Sequence, residues 1–121
     1  MPLTIEPSNE VNFILTRGAT FNPELIWENS DGTVVNLTGY TARMDVRADP
    51  TSAELLTQLL TGSGITIDGP NGKISLLIAS ATTKTFLWTS AAYDLFLTSG
   101  TGIVTALIFG RIIMKEAVTK I

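Results

Sequence analysis

A chain of 121 residues with 8 basic and 11 acidic side chains, and with neither cysteine nor histidine, is one domain's worth of polypeptide with a narrow chemical repertoire. The missing residues exclude thiol nucleophiles, Ser-His and Cys-His dyads, and thiolate or imidazole metal sites, while the net charge of −3 lacks the basic footprint of a nucleic-acid binder. No basic start and apolar run mark a secretory signal, and the longest apolar stretch, residues 103–114, is too short for a membrane span and contains Arg111, so the chain reads as soluble and made in the cytosol.

Residues 1–11, with Pro2, Pro7, Ser8 and Asn9, read as an extended N-terminal arm that hangs free or pairs at an edge. Residues 12–121 read as a single domain. Asn12 to Thr16 is a short strand, followed by a turn at Arg17-Gly18. Phe21, Pro23, Leu25 and Trp27 share one side of the next strand, and Pro23 places its start at an edge. Asp31-Gly32 tolerates the positive φ of a hairpin turn into Thr33–Val35. Residues 40–48 then alternate strictly: Tyr40, Ala42, Met44, Val46 and Ala48 face the dry side, Thr41, Arg43, Asp45 and Arg47 the wet side. In residues 53–60 leucines at 55, 56, 59 and 60 fit a helix better than a strand, though a strand buried on both faces remains open.

Ile65 to Asp68 and Lys73 to Ala79 flank Asn71-Gly72 and pair as a hairpin. Residues 81–88 are too polar for a core strand and predict a single helical turn, with Phe86 or Trp88 plugging the end of the core. In residues 91–98, Tyr93, Leu95 and Leu97 point inward against Asp94, Phe96 and Thr98. Residues 103–117 form the longest strand, with Val104, Ala106, Ile108, Ile112 and Met114 on one face and Ile103, Leu107, Phe109 and Ile113 on the other. Gly110 predicts a bulge or a close backbone approach there. Seven to nine short strands with regular turns and one short helical turn predict an all-β fold, an antiparallel immunoglobulin-like β-sandwich.

Several segments together resemble one family. Leu15-Thr16-Arg17-Gly18-Ala19-Thr20-Phe21, Trp27, the run from Asp31 to Ala42 (DGTVVNLTGYTA) and Val46-Arg47 carry the first half. Gly64-Ile65-Thr66-Ile67-Asp68, Gly72-Lys73-Ile74, Tyr93-Asp94-Leu95 and Phe109-Gly110-Arg111 carry the second. Over residues 12–117 the chain is similar to small immunoglobulin-like proteins of tailed-phage and prophage structural modules, related to the N-terminal domain of phage baseplate upper proteins. The resemblance implies a strand at residues 53–60. It also implies a non-enzymatic virion component, made in the bacterial host cytoplasm, that oligomerises and attaches a tail fibre, baseplate or neck component. The partners implied are the chain itself and other phage structural proteins, with no nucleic acid, membrane or small-molecule substrate. Fibre-attaching members often carry further C-terminal domains, whereas this sequence ends at Ile121, which points to an adaptor or decoration piece.

No catalytic, cofactor-binding or metal-ligating residues stand out. Asp45 between Arg43 and Arg47 reads as a same-face charge ladder. Asp68 and Asp94 lack the surroundings of an acid-base pair. Asn36-Leu37-Thr38 fits a glycosylation pattern but reads as a polar corner. Trp27, Trp88, Tyr40, Tyr93, Phe96 and Phe109 could form the stacking platform of a carbohydrate-binding module, although aromatics at inward positions belong to a core. With 16% charged and 45% hydrophobic residues, the apolar excess points to assembly. The candidate interaction residues are Leu3 and Ile5 on the arm and Ile103, Leu107, Phe109 and Ile113 on the final strand.

Overall fold

Two short strands near the N-terminus lie at opposite ends of one continuous sheet. In the computed structural model, which describes residues 2–120, the strands are β1 (Leu3–Ile5), β2 (Asn9–Glu10), β3 (Phe13–Thr16), β4 (Glu24–Trp27) and β5 (Thr41–Arg47) in the first half. The second half holds β6 (Leu55–Thr61), β7 (Gly64–Asp68), β8 (Lys73–Leu76), a four-residue helix α1 (Ser80–Thr83), β9 (Ser90–Thr98) and β10 (Val104–Lys115). The hydrogen-bonded path runs β1-β4-β8-β7-β6-β5-β9-β10-β2, with β3 also on β10. Because Ile5 at one end of the path and Asn9 at the other are four residues apart, the ends lie within roughly 14 Å of each other. The sheet therefore bends round its core and nearly closes as a barrel.

The all-β expectation holds, but the pairing is mixed rather than antiparallel. β1 lies parallel to β4, and β2 and β3 lie parallel to β10. β6 meets β7 in a two-pair parallel contact at Leu60↔Gly64 and Thr61↔Ile65, while the other ladders are antiparallel. Apart from the short β6-β7 contact, the parallel pairs come from the N-terminal segment, which is shared between both ends of the path and enters each in the direction of its neighbour. Ile5 is correspondingly buried at 1% exposure. It is a core residue, so its expected role on an interaction surface is corrected.

Inward alternation supplies the core. Ala42, Met44 and Val46 of β5 and Tyr93, Leu95 and Leu97 of β9 are buried, while Thr41, Arg43, Asp94 and Phe96 on the same strands are exposed. They pack in one cluster with Leu25 and Trp27 of β4, Ile65 of β7, and Ile74 and Leu76 of β8. Each such aliphatic side chain contributes about 1.5–3 kcal/mol by leaving water. Phe86 closes one end of the core and stacks on Trp88, with ring centroids 5.2 Å apart. The helical turn is shorter than predicted. It is fixed by the buried Thr83 hydroxyl, which donates to the Ala19 carbonyl at 2.8 Å and accepts from the Gly18 N–H at 3.1 Å.

Local expectations fare unevenly, each for a physical reason. Residues 55–61 form a strand and not the helix that leucine spacing favours, because β5 needs an antiparallel partner from Arg43↔Leu60 to Arg47↔Leu55. The Asp31-Gly32 turn forms, but its second arm is reduced to a single bridge between Glu28 and Val34. The β7-β8 hairpin forms around Asn71-Gly72. A Cβ on Gly72, whose φ is +60°, would meet the Val35 carbonyl oxygen at 2.6 Å, so only glycine fits there. In β10 the register shifts between Ala106 and Ile108, so Gly110 marks no bulge; the close backbone approach expected there does form, with the Val11 carbonyl against it. The extra residue turns both Leu107 and Ile108 inward, at 0% and 1% exposure. Leu107 is thus also removed from the expected interaction surface.

Candidate docking surface

The strands β6, β5, β9 and β10 are neighbours, so their outward side chains line up in rows across the sheet. One row reads Leu60, Arg43, Phe96, Ala106; the next reads Gln58, Asp45, Asp94, Phe109; a third reads Leu55, Arg47, Ala92, Arg111. Rows on one face are about 6.8 Å apart along each strand. Period-two alternation produces this face automatically: once Met44, Leu95 and Ile108 point into the core, their neighbours must point out.

Asp45 is the electrostatic centre of the face. It accepts from Arg43 Nε at 3.0 Å and Nη2 at 3.2 Å, from Arg47 Nη2 at 3.1 Å and from Gln58 Nε2 at 3.0 Å. Burial pushes its carboxyl upward, but the hydrogen bonds from Arg43, Gln58 and Arg47 outweigh that and hold it below the usual carboxylate range. Asp94 stands directly across the ladder from it. No described residue donates a hydrogen bond to the Asp94 carboxylate; burial, then the Asp45 charge, raise its pKa, and the Arg47 charge offsets them only in part. Arg111 is held by Ser90 Oγ at 2.7 Å and 3.1 Å.

Around these charges lies apolar surface. Phe96, Phe109, Val104, Leu60 and Ile113 are all at least 39% exposed. A groove of about 690 Å³ runs along Thr41, Arg43, Leu60, Asp94, Phe96 and Val104. A smaller hollow beside it, about 290 Å³, is bordered by Asp45, Arg47, Pro50, Asp94 and Phe109. The arrangement offers shape, greasy contact and fixed charge of both signs, which suits docking.

Of the residues expected to interact, Phe109 and Ile113 share this face. Ile103, 66% exposed, sits just before β10, and Leu3 is exposed on β1 at the far end of the path. Sequence reasoning passed over Phe96, Val104 and Leu60 as interaction residues, although the alternation it used had already turned Phe96 outward. Trp27 and Tyr93 are core, and Trp27 meets Tyr40 edge-on at 87°, so the six aromatics do not make a common stacking platform. Asp68 lies on β7, three strands along the path from Asp94, and accepts from Asn71 Nδ2. Among the described residues there is no group of three or more potential metal ligands, and no helix is long and apolar enough to cross a membrane.

No family model matches the chain, and no curated protein is similar to it in sequence. Among solved structures, a Drosophila OTK fragment (extracellular domains 3–5) aligns with a TM-score of 0.39 at 14% identity, covering 99% of this chain and 36% of that one. A chicken TCR aligns with a TM-score of 0.49 at 13% identity, covering 98% and 58%. The N-terminal domain of ORF48 from phage TP901-1 aligns with a TM-score of 0.56 at 11% identity, covering 94% of each chain. With that phage domain, over nearly the whole length of both, this chain shares its fold.

Proposed function

We propose that this chain is a non-enzymatic structural component of a phage virion, an immunoglobulin-like adaptor that oligomerises and mounts a tail fibre, baseplate or neck component. The observation that carries the reading is the fold shared with a phage protein's N-terminal domain across 94% of both chains. The exposed apolar and charged face of β6, β5, β9 and β10 supports it, because an adaptor needs a rigid sheet with greasy area to cover. Its partners are then copies of itself and other virion proteins.

The reading is tested by mass spectrometry and immunogold labelling of purified particles from the phage or prophage that encodes the chain. The purified protein is also tested for co-purification with the products of the adjoining genes. The expected result is a fixed copy number per particle, label at the tail or neck, and a stoichiometric complex with a fibre, baseplate or neck protein. Particles that lack the chain sink the reading.

A further inference from the structure

We propose, resting on the assembly role above, that the outward face of β6-β5-β9-β10 receives a second copy of this chain, across a two-fold axis that sets Asp94 of each copy against Arg43 of the other. The face carries both halves of its own complement. Arg43 has a side chain 58% exposed. It spends Nε and Nη2 on Asp45, while its Nη1 has no hydrogen-bond partner among the described residues. Asp94 is the matching deficit: the Arg47 charge acts on its carboxylate, but no described residue donates a hydrogen bond to it. A surplus donor and an unserved acceptor on one patch are what an isologous contact requires, since residue i meeting j obliges j to meet i.

The register makes the pairing geometrically simple. Arg43 stands opposite Phe96, and Asp94 opposite Asp45, one row further along. Arg43 and Asp94 are therefore diagonal neighbours, about 8 Å apart at Cα by strand and row spacing. A two-fold axis lying in the face and crossing that diagonal forms the charge pair twice. The same axis runs close to Phe96, which meets its own mate at the centre of the contact. Asp45 also lies near the axis, but its side chain is only 17% exposed and already accepts from three residues, so it sits beneath the contact. Val104, Leu60 and Phe109, between 40% and 59% exposed, supply apolar surface around the pair. A partner surface of a single charge sign would leave one of the two groups unmatched; a second copy carries both complements.

The test is sedimentation of wild-type chain, Asp94→Arg, Arg43→Asp, and an equimolar mixture of the two variants, from low to high micromolar at low salt. Each variant alone sets like charges across the axis and weakens self-association by about a hundredfold. In the mixture every contact again joins a guanidinium to a carboxylate, and dimer returns to within a few-fold of wild type. Phe96→Ser, with its folding checked by thermal melting, also loses the dimer and is not restored by mixing with either variant. A wild-type chain that stays monomeric, single variants that associate like wild type, or a mixture that stays monomeric overturns the proposal. Virion incorporation is read separately: a chain found in particles yet monomeric in solution overturns this face and leaves the assembly role standing. Mutual rescue by a chain absent from particles supports the face and sinks the role.

Discussion

The hydroxyl of Tyr93 donates a hydrogen bond to the carbonyl of Val11, tying β9 to a segment 82 residues earlier in the chain. Val11 lies between β2 and β3, where the N-terminal chain crosses β10, and its own N–H donates to the Phe109 carbonyl at 2.9 Å. Tyr93→Phe removes the hydroxyl and leaves the ring in place, so the expected cost is about 1–2 kcal/mol. Urea denaturation checks it as a lower midpoint at unchanged slope. Burial raises the Tyr93 phenol well above the ordinary tyrosine range. Its contribution is therefore full below the unfolded value, about pH 10, and is lost as pH rises through the folded one. Wild type loses stability above about pH 10 through this group, and Tyr93→Phe lacks that component.

Gly110 is the other half of the same crossing. A Cβ there would lie 2.2 Å from the Val11 carbonyl oxygen and 2.7 Å from Asn12 Oδ1, which accepts from the Arg111 N–H. Both obstacles are held by the sheet, so Gly110→Ala is expected to push residues 9–12 off β10 at a cost of about 1–3 kcal/mol. Hydrogen exchange is the measurement: amides of residues 8–13 lose protection while those of β5 and β9 keep theirs. Uniform loss, or none, contradicts it.

The two facing aspartates titrate with opposite sign. Asp45, held low, contributes stability that is present above the ordinary aspartate range and fades as pH falls through its lowered value. Asp94, raised by burial and by Asp45, does the reverse: its contribution is full below about pH 4 and lost as pH rises through the folded value. At neutral pH its charge is a net cost. Asp94→Asn is therefore expected to stabilise the monomer at pH 7 by a few tenths of a kcal/mol after solvent screening, an advantage that closes towards pH 3–4. Denaturation repeated at two low concentrations, with matching midpoints to show that only monomer is read, checks it; an Asn variant less stable at pH 7 refutes it.

Where one face was wet, the sequence could be read. Arg43, Asp45 and Arg47 against Ala42, Met44 and Val46, and Asp94 against Tyr93 and Leu95, carry the period of two unambiguously, and Asn71-Gly72 marks its hairpin. Where both faces are apolar the pattern is silent. An extra residue in β10 moves Leu107 and Ile108 to the same side without disturbing any polar marker, and the leucine pairs of β6 suit a helix better than the strand they form. The parallel docking of β1 on β4 leaves no local trace, because three residues are too few to show a period and the partner lies 22 positions away. The docking face was half legible for the same reasons: its charges and Phe96 follow from alternation, whereas its β10 border follows from the bulge.

That bulge gives the sharpest contrast between neighbouring residues. Leu107 is fully buried and Phe109 is 47% exposed, although both belong to one face in an unbroken strand. Leu107→Ala opens a cavity in the core and is expected to cost about 2–5 kcal/mol. Phe109→Ser removes a larger side chain, yet it is expected to change stability by no more than about 1 kcal/mol, because its ring stands beside Asp94 on the outer face. Parallel urea titrations decide the matter. If the two variants cost the same, or Phe109→Ser costs more, the extra residue in β10 lies elsewhere and the Val104 end of the docking face must be redrawn.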